Sequence, residues 1–417
     1  MEMKKVRLGD ICSKICSGGT PLSKNTDYYN PPVIPWLTTS EVNYSRIYST
    51  EKYISENGLN NSSAKLIPEN SVIIAMYGQG KTAGRVAINK IPVATNQACC
   101  NLIINPKIAD FQYVYYALSA MYNDLIVLKS GGAQPNLNAK KIKEFEIPYP
   151  SINAQHIIAS ILSAYDDMID NCKRQIALLE EAAQRLYREW FIDMRFFNHK
   201  KALFNSTGIP SNWSYQTLES IGVQIESGRR PKGGILNITD GYTDGIPSIG
   251  AENVIGLGQY QFEKEKFIDS DFFFSMKRGH LKDGDILIYK DGAYIGKTTF
   301  FQDGFPHKQA AVNEHVFLLR ATNSDYQKYL FLTLHQPEYF DRMQRLNANS
   351  AQPGLNQKHI LGLTILLPDV ETILEFNRLV SPIFSLIFAK ANLRRQIMIA
   401  KKSLLPRLIS GQIEINA

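Results

Sequence analysis

The chain has 417 residues, 44% apolar, 20% charged and 11% aromatic, with a net charge of +7. That length exceeds one ordinary hydrophobic core and calls for two or more domains, in a composition typical of globular proteins. No stretch reads as the roughly 18–20 apolar residues of a membrane span, and the polar start MEMKKVRLGD is no secretory signal, so the cytoplasm is the expected location.

In chain order, residues 1–150 are strand-rich and broken by turns such as KICSGGTP and NGLNNSS. The apolar run SVII leads into the glycine turn AMYGQGKTAG, and a helical pattern is confined to DFQYVYYALSAM. From Ser151 to Arg195 one long helix is predicted, with apolar residues alternating four and three apart. Its seam runs through Ile158, Leu162, Tyr165, Ile169, Cys172, Ile176 and Leu179 and on to Trp190. The segment FNHKKALFNSTGIPSN then links to a second strand-rich region with turns IESGRRPKGG and TDGYTDG and one helical stretch, DYQKYLFLTLHQ. A second long helix closes the chain, its seam expected at Phe376, Leu379, Ile383, Leu386, Leu393, Ile397 and Leu404. Lys390 interrupts that seam, and Pro382 is expected to kink the first turns. A helix of 33 residues is about 50 Å long and would expose its seam if alone, so the two are expected to pack together, antiparallel.

The two strand-rich regions are one sequence written twice. LGDICSKICSGGTP at Leu8 aligns with LESIGVQIESGRRP at Leu218, IPWLTTSEV with IPSIGAENV, and AQPNLNAKKI at Ala133 with AQPGLNQKHI at Ala351. The offset drifts only from 210 to 218 residues and the order never changes. AMYGQGKTAG likewise answers to KDGAYIGKTT, so each copy carries a Gly-Lys-Thr.

That tripeptide does not make a nucleotide-binding loop. The first position of the motif is Ala75 in one copy and Asp291 in the other, and no helix follows to offer its amide dipole to phosphate. Asn30-Pro31-Pro32 resembles the catalytic tetrapeptide of amino-methyltransferases, but its fourth residue is Val33 where a base-stacking aromatic is needed. No acidic pair with Glu-x-Lys, no Ser/His/Asp arrangement and no ligand-spaced histidines stand out, so no catalytic residue and no metal ligand is assigned. Five cysteines lack zinc-ribbon spacing and are expected to be reduced. What remains is a reader: two similar modules joined by long helices, as a dimeric DNA-binding protein spaces two half-sites by multiples of roughly 34 Å.

The alternation of globular region and long helix resembles the specificity subunit of type I restriction-modification enzymes. The residues that carry the resemblance are LGDICSKICSGGTP, GGAQPNLNAKKIKEFEIPYP with LLEEAAQRLYREWF, and SAQPGLNQKHI with LLPRLISGQI. It implies an α+β chain of two tandem-duplicated target recognition domains, residues 1–150 and 198–368 (198–212 being linker). Two long antiparallel coiled-coil helices, within 151–197 and 369–417, would separate them in a pseudo-two-fold arrangement. It further implies a bipartite double-stranded DNA target and two methyltransferase subunits on the helical regions, with restriction subunits joining through them. No cofactor is expected in this chain; S-adenosylmethionine, ATP and magnesium would sit on the partners. The rival from another class is a stand-alone, repressor-like DNA-binding protein.

Polar side chains on turns are the candidate DNA readers, since Arg and Lys suit guanine edges or phosphates, and Asn and Gln suit adenine. In the first domain these are Lys24, Gln79, Lys81, Thr82, Arg85, Asn96 and Gln97. In the second they are Arg229, Arg230 and Lys232, then Lys290, Tyr294, Lys297 and Thr298, and finally His307, Lys308 and Gln309. Tyr187, Arg188 and Phe191 are expected to face outward from the first helix and meet a partner, whereas Gln134 and Gln352 are read as structural.

Overall fold

The computed structural model describes residues 4–78, 82–129, 136–232, 234, 245–292, 294–348 and 354–415. It divides into two compact units, one formed by Met1–Asp167 with Ile397–Ala417 and the other by Met168–Gln396. The candidate residues Gln79 and Lys81, together with Gln134 and Gln352, lie outside the described residues.

The first unit is built on a five-stranded sheet ordered Cys12–Ser17, Cys99–Ile104, Val72–Ala75, Val86–Asn89, Ser45–Ile47. Val72, Ile73, Ile74 and Ala75 are all fully buried, which explains why this central strand is an unbroken apolar run instead of an alternating one. A second sheet places Ile34–Leu37 between Lys52–Ile54 and Val93–Thr95, and Lys5–Arg7 pairs with Glu146–Pro148. Helix Phe111–Ala120 starts where the Asp110 carboxylate accepts the Tyr113 amide at 2.9 Å, and it buries Tyr113, Tyr115 and Tyr116 against the main sheet. All five cysteines are free, and burial pushes the Cys12 and Cys100 thiols up to about 12.

The second unit repeats this strand order. Its main sheet runs Gln224–Ser227, Val316–Arg320, Ile286–Tyr289, Thr298–Phe300, and Ser214–Thr217 pairs with Thr364–Leu367. Ile246–Ile249 pairs antiparallel with Phe267–Ile268 and parallel with Ala311–Val312, as Ile34–Leu37 does with Lys52–Ile54 and Val93–Thr95.

The long helices are Ile152–Phe191 and Val370–Ile409, each contributing to both units. Within the second unit they run antiparallel: Phe191 meets Phe376 with ring centroids 4.9 Å apart, while Ile176 and Ile387 converge further along on Gly258. In the first unit Lys401 pairs with Asp166, which also accepts the Tyr116 hydroxyl at 2.6 Å.

Along the first helix Ile158, Leu162 and Ile176 are buried, and Tyr165, Ile169 and Leu179 are half-buried. The second helix departs from the expected seam. Ile397 is buried and Leu404 half-buried, but Leu386 and Leu393 are 50% and 43% exposed, as is Leu379 at 50%. The buried row is instead Ile373, Phe376, Val380, Phe384, Ile387 and Ala391. The helix packs on Phe300 and Phe331 of its own unit as well as on its partner helix, so its buried arc follows the broad spacing of a globular core. It continues through Pro382 and Pro406. By length and composition Val370–Ile409 could cross a membrane, which the sequence pattern had not suggested. Its largest side chains, Phe376, Phe384 and Phe388, are however fully buried in the protein's own core.

Candidate nucleic-acid interface

In both units the loop that leaves the first strand of the main sheet meets the loop that enters its neighbour. Strand register fixes which residues correspond: Ser17 lies opposite Cys100, and Ser227 lies opposite Phe317, each the second residue of its strand. Asn96 donates its amide to the Leu37 carbonyl at 3.0 Å, and Asn313 does the same to Ile249 at 3.0 Å. Next in line stands a glycine with main chain against its face. A Cβ on Gly18 would lie 2.1 Å from the Thr95 carbonyl oxygen, and one on Gly228 would lie 1.6 Å from that of Val312.

Two residues beyond each glycine a side chain reaches across to the facing loop. In the first unit the Thr20 hydroxyl donates to the Gln97 amide oxygen, and the Tyr77 hydroxyl donates to the Gln97 carbonyl at 3.1 Å. In the second, Arg230 Nε pairs with Glu314 Oε1 at 2.7 Å, and Lys290 Nζ donates to the Glu314 carbonyl at 3.2 Å. His315 stands 3.0 Å from Asp291 and 3.3 Å from Glu314. The loop chemistry therefore differs between the units although the scaffold beneath it is the same.

The other candidates are dispersed. Lys24, Lys232, Lys308 and Gln309 are exposed. Asn96 is half-buried, with its side-chain oxygen accepting nothing among the described residues. Thr82 is half-buried, and Arg85 donates to Asn43 at 2.8 Å. Arg229 is turned to Ser275 and the Phe272 ring, and Lys297 lies over the exposed Tyr294 ring at 4.0 Å. Thr298 points inward: it is 2% exposed and bonded to His335 at 2.7 Å, which removes it from any reading surface. His307 is held between Glu265 and Arg395.

The two Gly-Lys-Thr tripeptides also fall out of register. Gly84 donates to Ala75 and Gly296 to Tyr289, at 2.8 and 2.9 Å, with φ of +90° and +88°. The counterpart of Gly296-Lys297 is thus Gly84-Arg85, and the shared tripeptide is a coincidence of spelling. Thr20, Tyr77, Asp291, Glu314 and His315 were not among the expected readers. Aligning SGGT with SGRR and NQ with NE would have found Thr20 and Glu314.

The expected partner residues require correction. Tyr187 and Phe191 are both 3% exposed and pack on Tyr329, Phe376 and Trp213, so they belong to the core; Arg188 alone of the three is exposed. The outward apolar row lies on the other helix, at Leu379, Leu386 and Leu393, spaced by seven and hence on one face.

Residues 1–181 match a family model described as the type I restriction modification DNA specificity domain. The MjaIX type I restriction enzyme specificity subunit of Methanocaldococcus jannaschii is 28% identical over 439 residues, taking in 100% of this chain and 94% of the relative. The EcoR124I/EcoR124II specificity subunit of Escherichia coli is 30% identical over 200 residues, 47% of this chain and 48% of the relative. The crystal structure of the type I restriction-modification system S subunit from M. genitalium shares the fold. It aligns over 97% of this chain and 96% of its own at a TM-score of 0.60 and 16% identity.

Proposed function

We propose that the chain is a specificity subunit of a type I restriction-modification enzyme, which reads a two-part DNA target, one half through each unit, and recruits the methyltransferase subunits that modify it. The observation that carries this is the pair of loop junctions at Thr20–Gln97 and Arg230–Glu314, built on matching strand register yet chemically unlike. Matching scaffolds suit the common geometry of duplex DNA, and unlike side chains suit unlike half-sites. Tandem duplication of one recognition domain accounts for the repeated strand order, with domains at 1–150 and 198–368 and coiled-coil helical regions at 151–197 and 369–417.

Leu379, Leu386 and Leu393 are the proposed contact row for a methyltransferase subunit, with Arg188 exposed on the other helix. Restriction subunits would join through the methyltransferase, and the methyl donor and ATP would be bound by those partners. In this account the chain itself has no catalytic step; its part is to place the partner's active site over a chosen sequence. The experiment is affinity purification of the full chain from its native host. Co-recovery of a DNA methyltransferase at two copies per chain is expected. Recovery of the chain alone, still binding DNA tightly and specifically, would favour the repressor-like alternative.

A further inference from the structure

The two loop junctions differ in a consistent direction. Counting from the strand registers, Thr20 corresponds to Arg230 and Gln97 to Glu314. Met76 corresponds to Lys290, since each donates its amide to the facing strand's entry, at Ala98 and His315, 2.8 and 3.0 Å away. Tyr77 and Asp291 follow directly. Every one of these positions is non-ionised near neutral pH in the first unit, and every counterpart in the second is an ionisable Arg, Glu, Lys, His or Asp.

A carboxylate on a surface that meets DNA is repelled by phosphates unless a paired cation offsets its charge, and Glu314 has that cation in Arg230. Glu314 is not a solvated bystander. Its Oε1 is held by Arg230 and neighboured by His315, while its Oε2 is buried and accepts nothing among the described residues. Arg230, 43% exposed, presents the fork that matches guanine O6 and N7. In the first unit the Gln97 side chain is fixed through its oxygen by Thr20, and a glutamine amide is the partner of adenine N6 and N7.

We infer that the Arg230–Glu314 pair is a specificity determinant for a G·C base pair in the half-site read by the second unit, and that Thr20–Gln97 at the equivalent place makes the first unit's half-site demand an A·T pair. This rests on the DNA-reading function proposed above.

The test is selection of bound sequences from a random duplex library by the full-length chain, for the wild type, Glu314→Gln, and the double variant Arg230→Thr with Glu314→Gln. Glu314→Gln keeps the size of the side chain but replaces its charge-assisted hold on Arg230 with a weaker neutral one, and an unchanged melting temperature checks that the variant folds. The expected result is a two-part wild-type motif with a required G·C pair in one half. In both variants that single preference should fall by on the order of ten-fold, the other half being untouched. A variant that selects the wild-type motif unchanged overturns the inference while leaving the proposed function standing, and so does a change in both halves. A wild-type chain that selects no two-part motif defeats the proposed function itself, and the inference with it.

Discussion

Gly228→Ala should be far more damaging than its size suggests. An alanine Cβ there would lie 1.6 Å from the Val312 carbonyl oxygen and 2.6 Å from its carbon. Non-bonded carbon atoms settle at about 3.5–4.0 Å, so main chain must part from main chain by roughly 1–2 Å. The obstacle cannot rotate away, because strand Ala311–Val312 pairs with Ile246–Ile249 and the Val312 amide is bonded to Gly279 at 2.9 Å. Overpacking of this kind costs about 1–3 kcal/mol, and a backbone obstacle places it at the upper end. For a unit of this size that is a fall of roughly 5–10 °C in melting temperature. The comparator is Gly208→Ala: its φ is +76° but an added Cβ meets nothing within 4 Å, so only the left-handed penalty of about 1–2 kcal/mol applies. Calorimetry on both variants, with DNA binding measured in parallel, is the assay. Because Arg230 follows two residues later, Gly228→Ala should also weaken binding of the half-site read by the second unit. The reasoning is refuted if Gly228→Ala melts no lower than Gly208→Ala.

Leu386→Lys with Leu393→Lys removes two exposed side chains, so stability should hold within about 0.5 kcal/mol while methyltransferase co-purification is lost; retained co-purification would dismiss that helix face. Asp369→Ala should cost about 1 kcal/mol or more, because Asp369 caps the second long helix through Thr372 and also accepts from the Trp213 indole at 2.9 Å. Burial pushes the Asp369 carboxyl up, but the Thr372 amide and hydroxyl and the Trp213 indole outweigh it and hold it below the usual carboxylate range. Its stabilisation is therefore full above about pH 4, the unfolded value, and is lost as pH falls through the lower folded value. Urea denaturation of wild type and variant should converge in acid, and a constant gap would contradict this. Finally, thiol titration with DTNB at neutral pH should be slow in the native chain and complete in denaturant, since Cys16, Cys99, Cys100 and Cys172 are buried and Cys12 is pushed up to about 12.

Much of the architecture is legible in the sequence. Periodicity of 3.5 to 3.6 located both long helices, and the repeated strings marked two strand-rich regions whose sheets do share their strand order. Facing was harder. Leu386 and Leu393 keep heptad spacing, yet spacing alone does not say whether a helix buries its row against another helix or against a domain. Phe376, Phe384 and Phe388 won the core because large aromatics bury more surface. Tyr187 and Phe191 went inward for the same reason. At the two loop junctions, Gln97, Arg230 and Lys290 are legible in the sequence as polar residues on turns, whereas Glu314 is not, because a carboxylate carries no expectation of meeting DNA. Thr298 shows the opposite error: a turn motif spelled Gly-Lys-Thr ends inside a buried strand.

The central claim is that this chain chooses a split DNA sequence for a methyltransferase that it recruits. Genome-wide methylation sequencing of the host, with the gene intact and deleted, tests it most directly. The account predicts one methylated motif made of two short, unlike halves around a non-specific spacer, present only with the gene, and a change in one half alone when residues 1–150 are exchanged. A methylome that is the same with and without the gene would contradict it.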